Sequence, residues 1–401
     1  MDLRFSDEYE AFRRELRGFL ETGWPLRGDE AALPRDRRER LFRRRATEAG
    51  YYARAVPRRY GGSEQSADVL KAAIIGEEVE RAGAPGEIQG GGTLMLVPTL
   101  LEHGTEEQCE RFIPRTMAGD YIWCQGYSEP GAGSDLASLQ TRAVLTGDEW
   151  VINGQKIWTS GANEADWMFC LCRTEPDAGK HAGISYILID MKTPGIEVRP
   201  LRQMTGNADF NEVFFTDVHV PADNLVGSRG EGWKIANTTL QHERNMIGDA
   251  SYGTVLFENL LQLARERTRG GRPALEDPHV RQQLAEIEAE ALAQRFSMYR
   301  QLTHRARGES PGIVGLMNKL ATTKLSLKMS ALGLELLDDE GLSAPGTEGT
   351  LMGASPKGSG GWVSQGMWSL GLHIGGGTAN IQRNIIAERG LGLPRERSQK
   401  R

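Results

Sequence analysis

The sequence predicts an α+β protein in which a β-rich segment separates two helical segments. Apolar residues recur at helical spacing in the first third, strand-like runs replace them from about Asp120, and helical spacing returns beyond Gly232. Strands and helices do not alternate regularly, which disfavours a doubly wound dinucleotide-binding fold. We therefore predict an N-terminal helical domain at 1–120, a middle β-domain at 121–231 and a C-terminal helical domain at 232–401.

The first segment carries three signals of helix formation. Ser6 is a predicted N-cap, and the apolar stripe around it consists of Phe5, Tyr9, Phe12, Leu16 and Phe19. A second periodic segment opens at Ser66 and closes at Gly83. Thr105 and Gln108 have the spacing of a capping box, in which each side chain satisfies the other residue's backbone amide.

The middle segment is rich in residues that favour strands. Asn153-Gly154 lies between two such runs, which predicts a hairpin turn with Trp158 on its second arm. Breaks at Gly, Pro and Asp delimit further predicted strands at 167–172, 184–190, 196–200 and 212–220.

Helical spacing dominates the last segment. It predicts helices over 232–267, 278–307 and 314–338, followed by an exposed loop at 341–361, which is rich in Gly, Ser and Pro. Three consecutive glycines, Gly375 to Gly377, precede Thr378, which starts a last helix ending near Gly390.

Composition excludes several classes of protein. The net charge of −6 and the pI of about 5.8 disfavour a nucleic-acid partner, since binding to nucleic acid needs a basic surface. No apolar run approaches the ~20 residues that span a bilayer, and the N-terminus lacks the pattern of a secretory signal. Cys109, Cys124, Cys170 and Cys172 are expected to be buried thiols in a reducing cytoplasm, and no metal site is predicted.

Two motifs of the middle segment could bind a ligand. Cys124–Asp135 reads C-Q-G-Y-S-E-P-G-A-G-S-D, in which the glycines, Gly133 among them, allow the backbone to approach a ligand closely. On loop composition alone, a decorated turn without a ligand is the favoured interpretation of this stretch. Lys156–Ala162 reads K-I-W-T-S-G-A, where Trp158 is either a core residue or a wall for a planar cofactor.

Taken together, these motifs resemble the flavin-binding β-domain of acyl-CoA dehydrogenases. The resemblance extends to V-H-V-P-A-D-N-L-V-G, G-E-G-W-K-I-A and T-A-N-I-Q-R-N-I-I-A-E-R-G-L-G-L-P-R, and it covers most of residues 5–395 in consistent order. It implies a β-barrel-like middle domain, a C-terminal domain like a four-helix bundle, and FAD bound between them. It also implies oxidation of an acyl-CoA thioester to the trans-2-enoyl-CoA, with hydride passing to flavin N5.

The resemblance also assigns roles to single residues. It places one set along the isoalloxazine ring and its N5 region, namely Gln125, Tyr127, Ser128, Trp158, Thr159 and Ser160. Ser134 matches a position at the flavin phosphates or the pantetheine arm, and Thr378 and Asn380 match positions near the FAD phosphates and adenosine, where a helix start favours an anion. Arg267 matches an arm that reaches the FAD of a neighbouring subunit, and Gly377 is assigned to the substrate site.

The position of the catalytic base differs among relatives. Many carry a glutamate just before the Gly-Thr of the last loop, where this chain has Gly376. Isovaleryl-type and long-chain-type relatives instead carry it before an arginine on the first long helix of the C-terminal domain, where this chain has Glu243 and Arg244. The resemblance therefore implies that Glu243 abstracts the α-proton, with Arg244 beside it.

Helical spacing predicts that Glu243 lies on an apolar face of its helix. It puts Glu243 in one apolar stripe with Ala236, Leu240, Ile247 and Ala250, so desolvation is expected to raise its pKa, while Arg244 would lower it. His242 points about 100° away along the helix, and we predict a surface role for it.

Two departures from the family pattern concern the contacts between subunits. Gly270 stands where relatives have an aromatic residue, and the Gln-x-x-Gly-Gly-x-Gly stretch is absent. The resemblance implies an electron-transfer flavoprotein as acceptor and a homotetramer, or a heterotetramer with a related subunit. Two other functions stay open at this point: an oxidase that uses O₂, and a low-activity partner subunit of a heteromeric enzyme.

Overall fold

The computed structural model describes residues 6–66, 68–247, 250–310, 312–346 and 355–394, and it describes no side chains at 244–251. Within these ranges a β segment separates two helical segments, so the predicted α+β order is confirmed. The domain boundaries after residues 120 and 231 stay a prediction.

Five α-helices make up the N-terminal segment of the described chain: α1 Asp7–Gly23, α2 Arg35–Glu48, α3 Val69–Arg81, α4 Val97–His103 and α5 Glu106–Ala118. The predicted capping box at the start of α5 is present, because the Thr105 side chain accepts from the Gln108 amide and the Gln108 side chain accepts from the Thr105 amide. Asp68, rather than Ser66, caps α3, since its side chain accepts hydrogen bonds from two backbone amides of the first turn. The predicted stripe residue Phe5 lies outside the described residues.

The middle segment forms one eight-stranded sheet whose strands are β1 Trp123–Gly126, β2 Arg142–Thr146, β3 Glu149–Ser160, β4 Trp167–Arg173, β5 Ile184–Asp190, β6 Ile196–Leu201, β7 Phe210–Pro221 and β8 Leu225–Val226. The order is β6-β7-β3-β2-β4-β5-β8, and β1 pairs with β4 in parallel. Strands β4 to β7 confirm the predicted runs. In the described residues β6 and β8 end the path without pairing to each other, so the barrel-like domain implied by the resemblance is an open sheet.

The predicted hairpin turn at Asn153-Gly154 is wrong. Strand β3 runs straight through both residues, and the turn between β2 and β3 lies at Gly147-Asp148 instead. Asn153 and Gly154 form a bulge against β7, where the Asn153 side chain donates to the Asp217 carboxylate and accepts from the Asp217 amide, both at 2.9 Å. The preference of Asn-Gly for positive φ therefore serves a bulge, which needs the same backbone freedom as a turn.

This bulge gives a first testable prediction, the effect of Gly154→Ala on stability. Gly154 has φ of +146°, and a β-carbon there would lie 2.7 Å from the Thr141 Cα atom. We expect the free energy of unfolding to fall by about 1–3 kcal/mol, measured by urea denaturation. Gly18→Ala in α1 is the control, because a β-carbon there meets nothing within 4 Å and helix propensity should raise stability. Equal stability of wild type and Gly154→Ala would contradict the bulge.

The C-terminal segment is built from α6 Gly232–Ile247, α7 Ala250–Glu266, the short hairpin β9 Thr268–Arg269 and β10 Arg272–Pro273, α8 Pro278–Ala306, α9 Ile313–Leu337, α10 Gly358–Leu372 and α11 Ala379–Ile385. The predicted loop at 341–361 is partly wrong, because α10 begins inside it, and residues 347–354 of it lie outside the described residues. The glycines near the start of α10 suggested a loop, but Gly361 packs closely against Pro356, and a β-carbon there would lie 3.1 Å from the Pro356 carbonyl carbon. No helix in the described ranges is long and apolar enough to cross a membrane.

Packing around the sheet fixes where the site can form. One face of the sheet packs against α4, α5 and α6 through residues such as Phe112, Leu188 and Ala236. The opposite face forms a second core that includes Cys170 and Cys172, and all four cysteines are buried and unbridged, as expected. Helix α6 contacts both β5 of the sheet and α9 of the C-terminal segment, so it joins the two.

Candidate active site

Glu243 lies where the sheet meets the C-terminal helices. Its carboxylate accepts a hydrogen bond from the Gln125 side chain, at the end of β1, with an Nε2–Oε2 distance of 3.2 Å. Glu243 is half-buried, and Ala236 and Leu240 of the predicted stripe pack into the core beneath it. The side chains of the other predicted partners, Arg244, Ile247 and Ala250, lie outside the described residues.

A buried lysine lies on α9, which packs against the helix that carries this carboxylate. Lys319 of α9 is 2% exposed, and its ammonium donates to the Gly377 carbonyl oxygen at 2.7 Å. Burial lowers the pKa of Lys319 to about 8, although the negative charge of Glu243 opposes this effect. The Lys319 ammonium therefore binds the glycine loop that precedes α11, and the negative charge of Glu243 on α6 acts on it.

The glycine loop has a shape that only glycine adopts easily. Gly376 and Gly377 both have positive φ, at 62° and 88°. Their carbonyl oxygens point to side chains, since Gln382 donates to Gly376 at 3.2 Å and Lys319 donates to Gly377. Thr378 caps α11 by accepting from the Ile381 amide, as its predicted position at the helix start implies.

A buried ion pair holds the first predicted ligand loop in place. Lys156 of β3 is fully buried and donates to the Glu129 carboxylate at 2.8 Å and to the Tyr127 carbonyl at 3.2 Å. Glu129 also accepts from the Gln140 and Thr141 amides. The segment Tyr127-Ser128-Glu129 is thus tied to β3, and the Ser128 carbonyl accepts from the Ile157 amide.

Tyr127 lies on the sheet side of Glu243. Its ring packs edge-on against Phe169 and Tyr186, and burial raises its pKa well above the usual range. Thr239, one helical turn before Glu243, bonds to the Tyr186 hydroxyl and to Thr99. These buried hydroxyls anchor α6 to the sheet beneath the carboxylate.

The second predicted motif ends β3 in a bulge. Trp158 has φ of +60° and is 60% exposed, so it is not a core residue. Its ring contacts Phe210 edge-on at 6.2 Å, and Phe210 stacks on Trp368 of α10. The Thr159 hydroxyl beside it is fully buried and has no hydrogen-bond partner among the described residues, whereas Ser160 is exposed. An exposed aromatic wall beside an unsatisfied buried hydroxyl fits a planar ligand with hydrogen-bonding atoms.

Other predicted site residues lie outside this cluster. Gly133 and Ser134 are exposed beyond the turn that Glu129 and Ala132 close, and Asn380 is exposed on α11. Arg267 pairs with Glu340 after α9, at N–O distances of 2.6 and 2.8 Å, so this single chain does not bring it to Glu243.

Gly270 has a structural reason to replace an aromatic residue. Gly270 and Gly271 connect β9 to β10 with φ of 59° and 77°. A two-residue hairpin turn of this type requires positive φ at both central residues.

His242 differs from its predicted surface position. The side chain is half-buried, and burial lowers its pKa while Glu102 opposes that shift. The adjacent Thr238 bonds to His103, so this side of α6 packs against α4.

Sequence reasoning missed Lys319, Glu129 and Lys156. For Lys319 a signal existed, because helical spacing from it meets Thr322, Thr323 and Ser326, all buried with it on one face of α9. No comparable signal linked Glu129 to Lys156, since they come from separate elements and their pairing depends on the tertiary fold.

Three family models match the chain in order. They are the N-terminal domain of acyl-CoA dehydrogenase at residues 6–120, the middle domain at 124–218 and the C-terminal domain at 230–391. The chain belongs to the acyl-CoA dehydrogenase family. Members are FAD-dependent flavoproteins of lipid metabolism, and the chain is accordingly an oxidoreductase with FAD as its cofactor.

Curated relatives and solved structures agree with this assignment. The chain is 38% identical to acyl-CoA dehydrogenase IpdE1 of Mycobacterium tuberculosis, over 97% of this chain and 99% of that protein. It is also 38% identical to acyl-CoA dehydrogenase FadE34 of the same organism, over 91% of this chain and 47% of that protein. Among solved structures, the Tcur3481-Tcur3483 steroid acyl-CoA dehydrogenase matches with a TM-score of 0.77 and 31% identity, covering 99% of this chain and 100% of that one. The ChsE4-ChsE5 complex from Mycobacterium tuberculosis matches with a TM-score of 0.76 and 31% identity, at the same coverage.

Proposed function

We propose that the chain oxidises an acyl-CoA thioester to the trans-2-enoyl-CoA and that Glu243 removes the α-proton. One observation carries this proposal: the Glu243 carboxylate accepts from Gln125 at the end of β1, and the helix that carries it packs against α9, whose Lys319 binds the glycine loop. The α-proton is a weak acid, so its removal needs a positioned carboxylate. Gly376 stands where many relatives carry the base, and we propose that its lack of a side chain leaves room beside the acyl chain.

The surrounding residues orient Glu243 and limit water around it. Gln125 donates to one carboxylate oxygen, and Ala236 and Leu240 bury the helix face that carries Glu243. We propose that Arg244 and Gly377 contact the substrate with Glu243, and that Ser134 lies along its pantetheine arm.

The same geometry supports a binding site for FAD. We propose that Trp158 packs on the isoalloxazine ring, that Thr159 donates to it, and that Gln125, Tyr127, Ser128 and Ser160 line it. Gly133 and Ser134, with Thr378 and Asn380, are proposed to contact the phosphates and the adenosine. FAD, when bound, supplies the acceptor for the β-hydride.

Thr159→Val tests the cofactor site without disturbing the base. Replacing a buried hydroxyl that lacks a partner by an isosteric methyl is nearly neutral, so the apoprotein should keep its stability within about 1 kcal/mol. Loss of one hydrogen bond to FAD should raise the dissociation constant for FAD roughly tenfold, measured by fluorescence titration.

Thr116→Val is the matched control for this variant. Thr116 is also buried, but its hydroxyl donates to the Phe112 carbonyl and accepts from the Trp123 indole. We expect it to lower stability while the affinity for FAD stays unchanged. Unchanged FAD affinity in Thr159→Val would contradict the proposed contact.

An anaerobic bleaching screen tests the reaction itself. The purified yellow protein is mixed with butyryl-CoA, isovaleryl-CoA, palmitoyl-CoA or cyclohexanecarboxyl-CoA, and absorbance near 450 nm is followed. Bleaching by at least one of them, with the enoyl-CoA found by mass spectrometry, supports the proposal. Rapid reoxidation by air with peroxide release would favour the oxidase, and a colourless purified chain would favour the partner subunit.

We also propose that the chain works in an oligomer and passes electrons to an electron-transfer flavoprotein. The Tcur3481-Tcur3483 and ChsE4-ChsE5 relatives are each named as a pair of components, which supports a heterotetramer beside the homotetramer that the family resemblance implies. Sedimentation of the purified chain, alone and with a related subunit, distinguishes these assemblies. Four buried free thiols support the cytoplasm as its compartment.

A further inference from the structure

The strongest feature that the proposed reaction does not use is the buried ammonium of Lys319. It lies on the inner face of α9 and is 2% exposed, it donates to the glycine loop, and α9 packs against α6. A buried charge is costly unless it is paired, so a lysine here needs a reason beyond packing.

The contacts of Lys319 join two parts of the site. Its Nζ donates to the Gly377 carbonyl at 2.7 Å, while Gln382 donates to the neighbouring Gly376 carbonyl. From α6, the negative charge of Glu243 acts on the same ammonium. Tyr127 and Gln125 face Glu243 from the sheet, and Tyr127 is neutral because burial raises its pKa.

We propose that Lys319 is a positioning residue of this site, which fixes the glycine loop through Gly377 and presents a positive charge that keeps the Glu243 carboxylate ionised. This inference rests on the proposed role of Glu243 as the base. It assigns two separable functions to one side chain, a hydrogen bond to the loop and a charge facing the base.

The charge of Lys319, unlike its hydrogen bond to the loop, depends strongly on pH. Burial lowers the pKa of Lys319 to about 8, so the ammonium is present at pH 7 and is lost as the pH rises through 8. At pH 7 the positive charge favours the ionised form of a carboxyl group nearby. Removing the charge must therefore move the ionisation of Glu243 to higher pH.

Two variants separate charge from hydrogen bond. Lys319→Gln keeps a donor for the Gly377 carbonyl and removes the charge, whereas Lys319→Met removes both. We expect the acidic limb of the pH profile of kcat/KM to move up by roughly one pH unit in both variants. Only Lys319→Met should also lose affinity for FAD. Lys324→Met, an exposed lysine on the same helix, should leave the profile unchanged.

A second measurement does not depend on turnover, because it follows the titration of Lys319 itself while Glu243 is substituted. In protein labelled with [ε-¹³C]lysine, the Lys319 signal, assigned by its loss in Lys319→Gln, should titrate near pH 8. In Glu243→Gln it should titrate roughly one pH unit lower, because the opposing negative charge is gone. An unmoved Lys319 titration in Glu243→Gln, or an unmoved kcat/KM profile in Lys319→Gln, overturns the inference.

The outcomes also separate this inference from the proposed function. An inactive Glu243→Gln with an unmoved Lys319 titration overturns only the role of Lys319. An active Glu243→Gln overturns the proposed base, and with it the positioning role, even where the two charges remain coupled.

Discussion

Glu243→Gln should retain FAD and acyl-CoA binding while its turnover falls by roughly 10²–10⁴-fold. A positioned general base contributes about that factor, and the amide cannot accept the α-proton. Gln has the shape of Glu and can still accept from Gln125 through its own oxygen, so the site should keep its geometry. The measurements are kcat and KM with the acyl-CoA that bleaches the wild type best, and a fluorescence titration of FAD.

Comparing the change in kcat with the change in kcat/KM shows whether Glu243→Gln affects the chemical step or substrate binding. An interaction made only in the transition state lowers kcat and kcat/KM together and leaves substrate binding intact. Glu258→Gln removes an exposed carboxylate from α7 and should behave as wild type. Turnover in Glu243→Gln within a few-fold of wild type would remove Glu243 from its proposed role.

A second readout isolates proton abstraction. Wild-type protein incubated anaerobically in D₂O should exchange deuterium into the α-carbon of the bound acyl-CoA, and mass spectrometry of the recovered thioester measures it. Glu243→Gln should exchange at the rate of the thioester alone. Fast exchange in the variant would show that another group takes the proton.

The sequence was informative where a signal lies within one element. The strands at 184–190 and 196–200, the capping box at Thr105 and the cap at Thr378 all appear as expected, because spacing and local hydrogen bonds decide them. Asn153-Gly154 shows the limit of this logic. Asn-Gly indicates that the backbone can adopt positive φ, which both a turn and a bulge require. The partner strand decides between them, because Asp217 lies where it can bond to Asn153.

Some candidate site residues meet within one chain, whereas others need a neighbouring subunit for their expected role. Gln125 and Glu243 are 118 residues apart in the chain, and the fold brings their side chains within 3.2 Å of each other. Arg267 needs a neighbouring subunit for its expected role, and within one chain it pairs with Glu340. Lys319 was overlooked because a lysine usually indicates a solvated face, although the buried threonines at its helical spacing indicated otherwise.

Lys156→Met should lower the free energy of unfolding by about 3–5 kcal/mol at pH 7, the usual effect of leaving one partner of a buried ion pair alone. The Glu129 carboxylate, 7% exposed, would keep its two backbone donors but lose its counter-charge. In contrast, Lys192→Met breaks an exposed pair with Asp166 and should cost less than about 1 kcal/mol. Urea denaturation of the apoproteins measures both.

The pH dependence of this loss identifies its cause. In the wild type, burial pushes the pKa of Glu129 up, but Lys156 and the hydrogen bonds outweigh burial and hold it below its usual range. The stabilisation from Glu129 is therefore present above the usual carboxyl pKa and is lost as the pH falls through the lowered one. In Lys156→Met the pKa should rise, since the charge that opposed burial is gone. Protonation of Glu129 then removes the unpaired charge from the folded variant. The difference in free energy of unfolding between wild type and Lys156→Met should therefore shrink as the pH falls from 7 to about 4.5. A deficit that is constant with pH would mean that altered packing around the substituted side chain, rather than the unpaired charge, destabilises the loop that carries Tyr127 and Glu129.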